Sequence, residues 1–203
     1  MIKTGAVCGR FQIFHLDHLA YVLAAAQKCE HLIIGITSPD ASVSPEEATD
    51  QNRGKAKENP CTYYERMKMI ESALLEAGLR RDRFDIVPFP IGKPELLQYY
   101  LPDEATVFVT ILDQWGYAKK ERLEEYGYRV FVLWEREEKR LSSTMIRKCI
   151  MQDQEWREFV PDATYKYVTE QGIDERIKRI SYREECPETK EHSEWFRKDS
   201  CRS

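Results

Sequence analysis

Five short apolar segments are the feature that most constrains how this 203-residue chain can fold. They span residues 2–8, 31–37, 84–87, 106–111 and 128–134. Each is rich in β-branched and aromatic residues, and its apolar residues are consecutive rather than alternating. That composition is typical of parallel strands that are covered on both faces.

Segments with helical periodicity lie between these apolar runs. Residues 19–29 form the first predicted helix and residues 116–126 a later one. Between them, apolar residues recur at spacings of four, three, four and three from Tyr63 to Ala77, and Gly78 follows as a stop. The alternation predicts an α/β fold: a Rossmann-like, doubly wound parallel sheet of about five strands with a C-terminal helical segment. Ligands of such sheets bind beyond the carboxyl ends of the strands.

One domain is expected over residues 1–180, followed by a polar and aperiodic tail over residues 181–203. Within the domain, residues 38–59 form an unusually long predicted loop that carries Arg53, Lys55 and Lys57. A loop of this length is either a lid that closes over a ligand or a surface insertion. Both interpretations stay open.

Charge and composition exclude several classes of function. The chain has 31 basic and 35 acidic residues and a formal net charge of −4, which argues against binding to a nucleic-acid backbone. It has no apolar run long enough for a membrane span and no secretory leader pattern, so a cytoplasmic protein is expected. The six cysteines are irregularly spaced without a C-x-x-C pair, which favours free thiols.

The first motif, GRFQIFHLDH at residues 9–18, follows the first predicted strand and leads into a helix. Gly9 lets the backbone approach a ligand closely, and Arg10 supplies a forked cation. A helix N-terminus attracts phosphate, and His15 and His18 lie on one side of it. The motif predicts contacts to phosphoryl groups, although an incidental histidine pair remains the alternative.

The second motif, LSSTMIR at residues 141–147, follows the fifth predicted strand. The hydroxyl groups of Ser142, Ser143 and Thr144 are suited to capping the next helix. One hydroxyl would suffice as a cap, and Arg147 lies one turn along from Thr144 on the same face. An anionic ligand at this helix start is therefore one interpretation, and a simple N-cap is the other.

Taken together, the two motifs resemble the signatures of the HIGH-type nucleotidyltransferase superfamily. The segment NPCTYYERMKMI at residues 59–70 is most similar to the archaeal-type nicotinamide mononucleotide adenylyltransferases. The resemblance covers residues 1–180. It implies transfer of a nucleotidyl group from a nucleoside triphosphate to a small phosphate-type acceptor, with release of pyrophosphate and no covalent intermediate.

The resemblance also implies roles for the residues of both motifs. The implied catalytic residues are Arg10, His15, His18 and Arg147. The implied nucleotide-binding residues are Gly9, Arg10, Phe11, His15, His18, Ser142, Ser143, Thr144 and Arg147. Mg²⁺ is expected to accompany the triphosphate through substrate oxygens, and no protein side chain is predicted as a metal ligand.

The sequence departs from the family pattern where the acceptor and the base are expected. Asp17 stands in place of the usual glycine, either as a helix cap or as a contact to the acceptor or metal. Ile13 replaces a proline, and the usual asparagine-tryptophan element has no match in residues 91–100. The candidate acceptor- or base-binding residues are Asp17, Tyr63, Lys93, Thr110, Asp113 and Trp115.

Three functions are therefore weighed. The first expectation is transfer from ATP to nicotinamide mononucleotide. The alternative is transfer of CMP from CTP to a small phosphonate or phosphate, as the similarity of these positions to the related phosphonate cytidylyltransferases implies. A cation such as Lys93 would suit that smaller anionic acceptor better than an aromatic slot. A nucleotide-sensing domain without catalysis is the candidate from another class. Assembly into a homo-oligomer is left open.

Overall fold

The computed structural model describes residues 1–38, 56–112, 114–135 and 140–185. Within these residues, five parallel strands form one sheet in the order β3-β2-β1-β4-β5. The strands are β1 (Ile2–Gly9), β2 (Cys29–Ile36), β3 (Phe84–Pro88), β4 (Thr106–Ile111) and β5 (Arg129–Glu135). The predicted α/β class and the five predicted strands are confirmed.

Helices cover both faces of the sheet. They are α1 (Leu16–Ala26), α2 (Tyr63–Glu76), α3 (Gln114–Glu125), α4 (Ser143–Met151), α5 (Asp162–Glu170) and α6 (Ile173–Glu185). The larger apolar cluster joins the sheet to residues of α1, α2, α4, α5 and α6, whereas Leu123 of α3 belongs to the cluster on the other face. The consecutive apolar residues of the strands are explained by this two-sided burial.

The first helix begins earlier than its periodicity predicts. Residues 19–29 were expected to be helical, but α1 starts at Leu16 and Cys29 already belongs to β2. The reason is the N-cap: the His15 side chain accepts a hydrogen bond from the His18 N–H, so the helix starts directly after His15. At the other end of the chain, α6 continues past the predicted boundary at residue 180, as far as Glu185.

The central strand β1 pairs with its two neighbours over very different lengths. Its pairing with β2 extends from Ile2 to Gly9, whereas its pairing with β4 involves only Gly5 and Ala6. Beyond Ala6 the ladder between β1 and β4 therefore ends. The order of the strands also reverses here, which is where ligands of open α/β sheets bind.

In the part of the chain that the structure describes, no helix is long and apolar enough to cross a membrane. Four cysteines fall in this part, Cys8, Cys29, Cys61 and Cys149, and all four are free thiols.

Candidate active site

A cavity of about 270 Å³ opens where β4 and β5 end and where α1 and α4 begin. Both sequence motifs contribute to its wall. Of the predicted site residues, those that line it are Arg10, Phe11, His15, Asp17, His18, Thr110, Ser142, Ser143, Thr144 and Arg147. The structure thus brings together two motifs that are separated by more than a hundred residues in the sequence.

Direct hydrogen bonds hold the two motifs against each other. The Ser143 hydroxyl donates to the Ile13 carbonyl oxygen at 3.0 Å, and the buried Arg147 guanidinium donates to the Gln12 carbonyl oxygen at 3.1 Å. Ser142 caps α4 by accepting from the Met145 N–H. The hydroxyls of this motif therefore have structural partners, and they line the cavity at the same time.

Asp17 supplies a third link between the motifs. Its carboxylate accepts a hydrogen bond from the Leu141 N–H at 3.1 Å. The expectation that Asp17 caps α1 is wrong, because His15 occupies the N-cap position and Asp17 lies in the first turn. A carboxylate in the first turn is still favoured by the helix dipole.

His15 and His18 form a reciprocal capping box. Nδ1 of His15 accepts from the His18 N–H at 3.3 Å, and Nδ1 of His18 accepts from the His15 N–H at 3.4 Å. The two rings are stacked with their centroids 3.6 Å apart. Because Nδ1 acts as an acceptor in both rings, the proton of each neutral imidazole resides on Nε2. Both rings are thus fixed in the tautomer that donates through Nε2.

Burial keeps His15 neutral. His15 is only 3% exposed, and the loss of hydration lowers its pKa to about 4, although the negative charge of Asp17 acts in the opposite direction. At neutral pH this ring is therefore a neutral hydrogen-bond donor.

Arg147 contacts a carboxylate that was not predicted. Its guanidinium pairs with Glu58 and also donates to the Thr144 hydroxyl at 3.1 Å. Burial lowers the pKa of Arg147, and the charge of Glu58 opposes that shift. Glu58 belongs to a short 3₁₀ helix, Ala56–Glu58, at the end of the long loop. The loop is thereby joined to the second motif.

The loop of the first motif has an unusual backbone. Phe11 and Ile13 have φ angles of +52° and +83°. Proline, which the family pattern has at position 13, cannot adopt such an angle, because its ring fixes φ near −65°. A glycine is required at position 9 because a Cβ atom there would lie 2.8 Å from the Phe11 ring. Close approach to a ligand was the predicted reason for this glycine, whereas the structure shows close approach to Phe11.

Three predicted acceptor- or base-binding residues are not among the described residues that line the cavity. Tyr63 packs against the larger apolar cluster, and Lys93 is exposed before a short 3₁₀ helix. Trp115 lies on α3 with the Arg122 guanidinium 5.9 Å from its ring centroid. The structure therefore does not support the predicted contacts of these three side chains with the site. Tyr63 and Trp115 contact other parts of the fold, and Lys93 is exposed to solvent.

Some predicted residues lie outside the described part of the chain. Asp113 is one of them, and Arg53 and Lys55 of the predicted lid are two more. Lys57 is described, in the same short helix as Glu58. The lid stays a prediction.

Gln12 and Arg66 are structural supports of the site that the sequence did not single out. The Gln12 side chain donates to the Cys61 carbonyl and accepts from the Cys61 N–H, which fixes the first motif to the start of α2. Arg66 is 2% exposed and donates to the carbonyl oxygens of Arg10 and Thr37, at 2.9 and 2.8 Å. The sequence feature that could have identified Arg66 is the Glu65-Arg66 pair in the family-like segment at residues 59–70.

Trp134 is a further cavity residue that sequence reasoning missed. A register shift between Val109 and Thr110 pairs Thr110 with Trp134 at the end of β5. Such bulges change the direction in which a side chain points. Trp134 lines the cavity together with Leu112, which gives this end of the cavity an aromatic and apolar wall.

Among the residues that the structure describes, no group of three or more His, Cys, Asp or Glu side chains is placed to hold a metal ion. The donors around the cavity are mainly cationic or N–H groups, a set that fits polyphosphate oxygens. A Mg²⁺ ion bound through substrate oxygens is compatible with these residues and stays a prediction.

Comparison with known proteins gives consistent similarities. A family model described as cytidylyltransferase-like matches residues 6–149. The chain is 48% identical over 175 residues to the phosphonoformate cytidylyltransferase of Streptomyces viridochromogenes, an alignment that covers 86% of this chain and 95% of the relative. It is 31% identical over 178 residues to the nicotinamide-nucleotide adenylyltransferase of Thermococcus sibiricus, covering 87% of this chain and 89% of the relative.

Among solved structures, a bifunctional NMN adenylyltransferase/ADP ribose pyrophosphatase from Francisella tularensis is similar with a TM-score of 0.65 and 18% identity. The match covers 97% of this chain and 56% of the other, so this chain spans a little over half of that enzyme's length. At this identity the similarity concerns the fold.

Proposed function

The chain belongs to the cytidylyltransferase-like family, and on that premise we propose that it transfers a cytidylyl group from CTP to a small phosphonate, releasing pyrophosphate. Its relatives of both kinds are nucleotidyltransferases, which supports that reaction class. The first expectation, ATP with nicotinamide mononucleotide, now ranks second. The relative that acts on phosphonoformate is 48% identical, and the adenylyltransferase of Thermococcus sibiricus 31%.

The observation that carries the proposal is the joining of the two motifs around one cavity. The starts of α1 and α4 face the same space, and each offers backbone N–H groups and the positive end of a helix dipole. His15 and His18 add Nε2 donors, and Arg10 adds a guanidinium. These donors match the oxygens of a triphosphate.

In the proposed reaction, a phosphonate oxygen of the acceptor attacks the α-phosphorus of CTP in line with the leaving pyrophosphate. One P–O bond forms to the acceptor, and the bond from the α-phosphorus to the bridging oxygen of the pyrophosphate breaks. His18 and His15 stabilise the charge that develops on the phosphoryl oxygens, because their donors are already oriented by the capping box. When bound, Mg²⁺ neutralises charge on the phosphates.

For the nucleobase we propose the wall formed by Trp134 and Leu112. An aromatic ring at the strand end is suited to stacking on a planar base. Cytosine and adenine both stack, so selection between them also depends on polar contacts.

The experiment compares kcat/KM for CTP with phosphonoformate against kcat/KM for ATP with nicotinamide mononucleotide, measured as pyrophosphate release. We expect CTP with phosphonoformate to be preferred by more than tenfold, about 1.4 kcal/mol at the transition state. His18→Ala should lower kcat by about 10²–10³-fold, as removal of an oriented donor commonly does.

The opposite preference would return the adenylyltransferase function to first place. Binding of CTP without pyrophosphate release from any acceptor would instead indicate a nucleotide-sensing domain. The cytoplasmic location remains part of the proposal, whereas the choice between a lid and a surface insertion for residues 38–59 and the question of a homo-oligomer stay as open as the sequence leaves them.

A further inference from the structure

Asp17 is the only acidic residue among the described residues that line the cavity. The other polar side chains of the wall are cationic or uncharged, and most of them can donate hydrogen bonds to phosphate oxygens. A carboxylate repels the oxygens of a phosphate and of an anionic acceptor alike. The ligand group that faces Asp17 is therefore a hydrogen-bond donor or a cation.

The Asp17 carboxylate has room for a further donor. One of its oxygens accepts the Leu141 N–H at 3.1 Å, and among the described residues this is the hydrogen bond that the side chain makes. A carboxylate offers about four lone-pair positions. Asp17 is half-buried and borders the open volume of the cavity. Its second oxygen is thus available to a bound molecule.

Asp17 also lies beside the wall proposed for the nucleobase. Tyr21 follows it by one turn of α1, so the two side chains share one face of this helix. The Tyr21 ring packs edge-on against the Trp134 ring, with the centroids 6.3 Å apart. Leu141, the hydrogen-bond partner of Asp17, comes from the chain that leaves the strand of Trp134. These contacts place the carboxylate where the edge of a base stacked on Trp134 would lie.

We propose that Asp17 selects the base of the nucleotide by accepting a hydrogen bond from the 4-amino group of cytosine. This inference rests on the proposed function and adds the determinant of base selection to it. Aspartate and glutamate are established partners of this amino group. Uracil has a carbonyl oxygen at the same position, which a carboxylate repels. The glycine that the family pattern has at position 17 offers no such contact.

The test compares the Kd values of CTP and UTP, measured with Mg²⁺ present, for the wild type and Asp17→Asn. The wild type should bind CTP about 10–100-fold more tightly than UTP, the usual size of such a base contact. In the variant the amide oxygen can keep the Leu141 N–H, and the amide NH₂ then faces the base. It donates to the uracil oxygen but does not accept from the amino group, so the preference for CTP should disappear or reverse.

Glu58→Gln is the matched control, because it also changes a carboxylate near the site into an amide. Glu58 pairs with Arg147 at the start of α4, where the phosphates are expected, so this variant should change the Kd of CTP and of UTP by the same factor. A second measurement needs no variant. A CTP analogue with hydrogen in place of the 4-amino group should bind to the wild type about tenfold more weakly than CTP.

An unchanged preference for CTP over UTP in Asp17→Asn would overturn the proposal, and so would the absence of this preference in the wild type. An equal loss of affinity for both nucleotides with a higher Mg²⁺ requirement would instead make Asp17 a metal ligand. Loss of discrimination against 2′-deoxy-CTP alone would assign it to the ribose. These binding measurements do not depend on the acceptor. If CTP binds with the expected preference but is not transferred to phosphonoformate, it is the proposed function that fails.

Discussion

At the scale of single residues, the histidine pair of the first motif combines structure with chemistry. Capping boxes commonly use a serine or threonine with a glutamate, as Thr62 and Glu65 do at the start of α2. At the start of α1, His15 and His18 take both positions. The side chains that begin the helix are therefore the ones that contact the cavity, and their tautomers are set by the helix itself.

This arrangement predicts a loss of stability at mildly acidic pH. The pKa of His15 is about 4 in the folded chain, below its ordinary value of 6.5, so between these values the unfolded chain binds a proton that the folded chain does not. The stabilising contribution is complete above pH 6.5 and is lost as the pH falls toward 4. The free energy of unfolding should fall by about 3 kcal/mol over this range. Urea unfolding at a series of pH values measures it.

The control is His15→Asn, which keeps a side-chain oxygen for capping but does not titrate. This variant should lose most of the pH dependence, whereas His31→Asn, at an exposed position, should retain it. An identical pH profile in His15→Asn and the wild type would contradict the depressed pKa.

At the scale of secondary-structure elements, Arg66 joins the ends of two strands to a helix. From α2 its guanidinium donates to the carbonyl oxygens of Arg10, Thr37, Ser38 and Thr62. The first of these follows β1, the next two follow β2, and the last caps α2. Five donors in a fixed planar arrangement make this possible, and a lysine ammonium cannot reproduce it.

Arg66→Lys should therefore lower the free energy of unfolding by about 3 kcal/mol, because several carbonyl groups lose their donors in a buried position. Chemical denaturation measures the difference. Arg80→Lys is the control: Arg80 is exposed and, within the described part of the chain, its side chain pairs with Asp82, so its change should stay within about 0.5 kcal/mol. Equal stability of the two variants would mean that the four hydrogen bonds of Arg66 contribute little.

At the scale of the whole molecule, the cavity is built from distant parts of the chain: the first motif with α1, the ends of β4 and β5, and the second motif. A ligand that binds there contacts all of them at once, so it stabilises the folded chain as a unit. CTP at about 100 times its Kd should add about 2.7 kcal/mol to the free energy of unfolding. In a chain of this size that amounts to a rise in Tm of roughly 5–10 °C.

The ion pair between Arg147 and Glu58 predicts how mutations change the rise in Tm that CTP causes. The Glu58 carboxylate and a triphosphate compete for the same guanidinium. Glu58→Gln should therefore lower the Kd for CTP and increase the rise in Tm at a fixed CTP concentration, and Arg147→Gln should reduce the rise. Thermal unfolding with and without CTP tests both variants. Weaker CTP binding in Glu58→Gln would show that the carboxylate orients Arg147 instead of competing for it.

The sequence by itself determined the strands and the helical segments, and it pointed to the residues of the site. Apolar runs and helical spacings depend on neighbouring residues, so the five strands were found to within a few residues. The two motifs singled out His15, His18 and Arg147, all of which line the cavity, and their phosphate chemistry stays a prediction. The tertiary structure decided which residues share the site. Asp17 meets Leu141 across 124 positions and Lys119 meets Cys8 across 111. Such pairs follow from the order of the strands in the sheet, which no local pattern records, and for that reason the sequence assigned Lys93 and Trp115 to a cavity that they do not line.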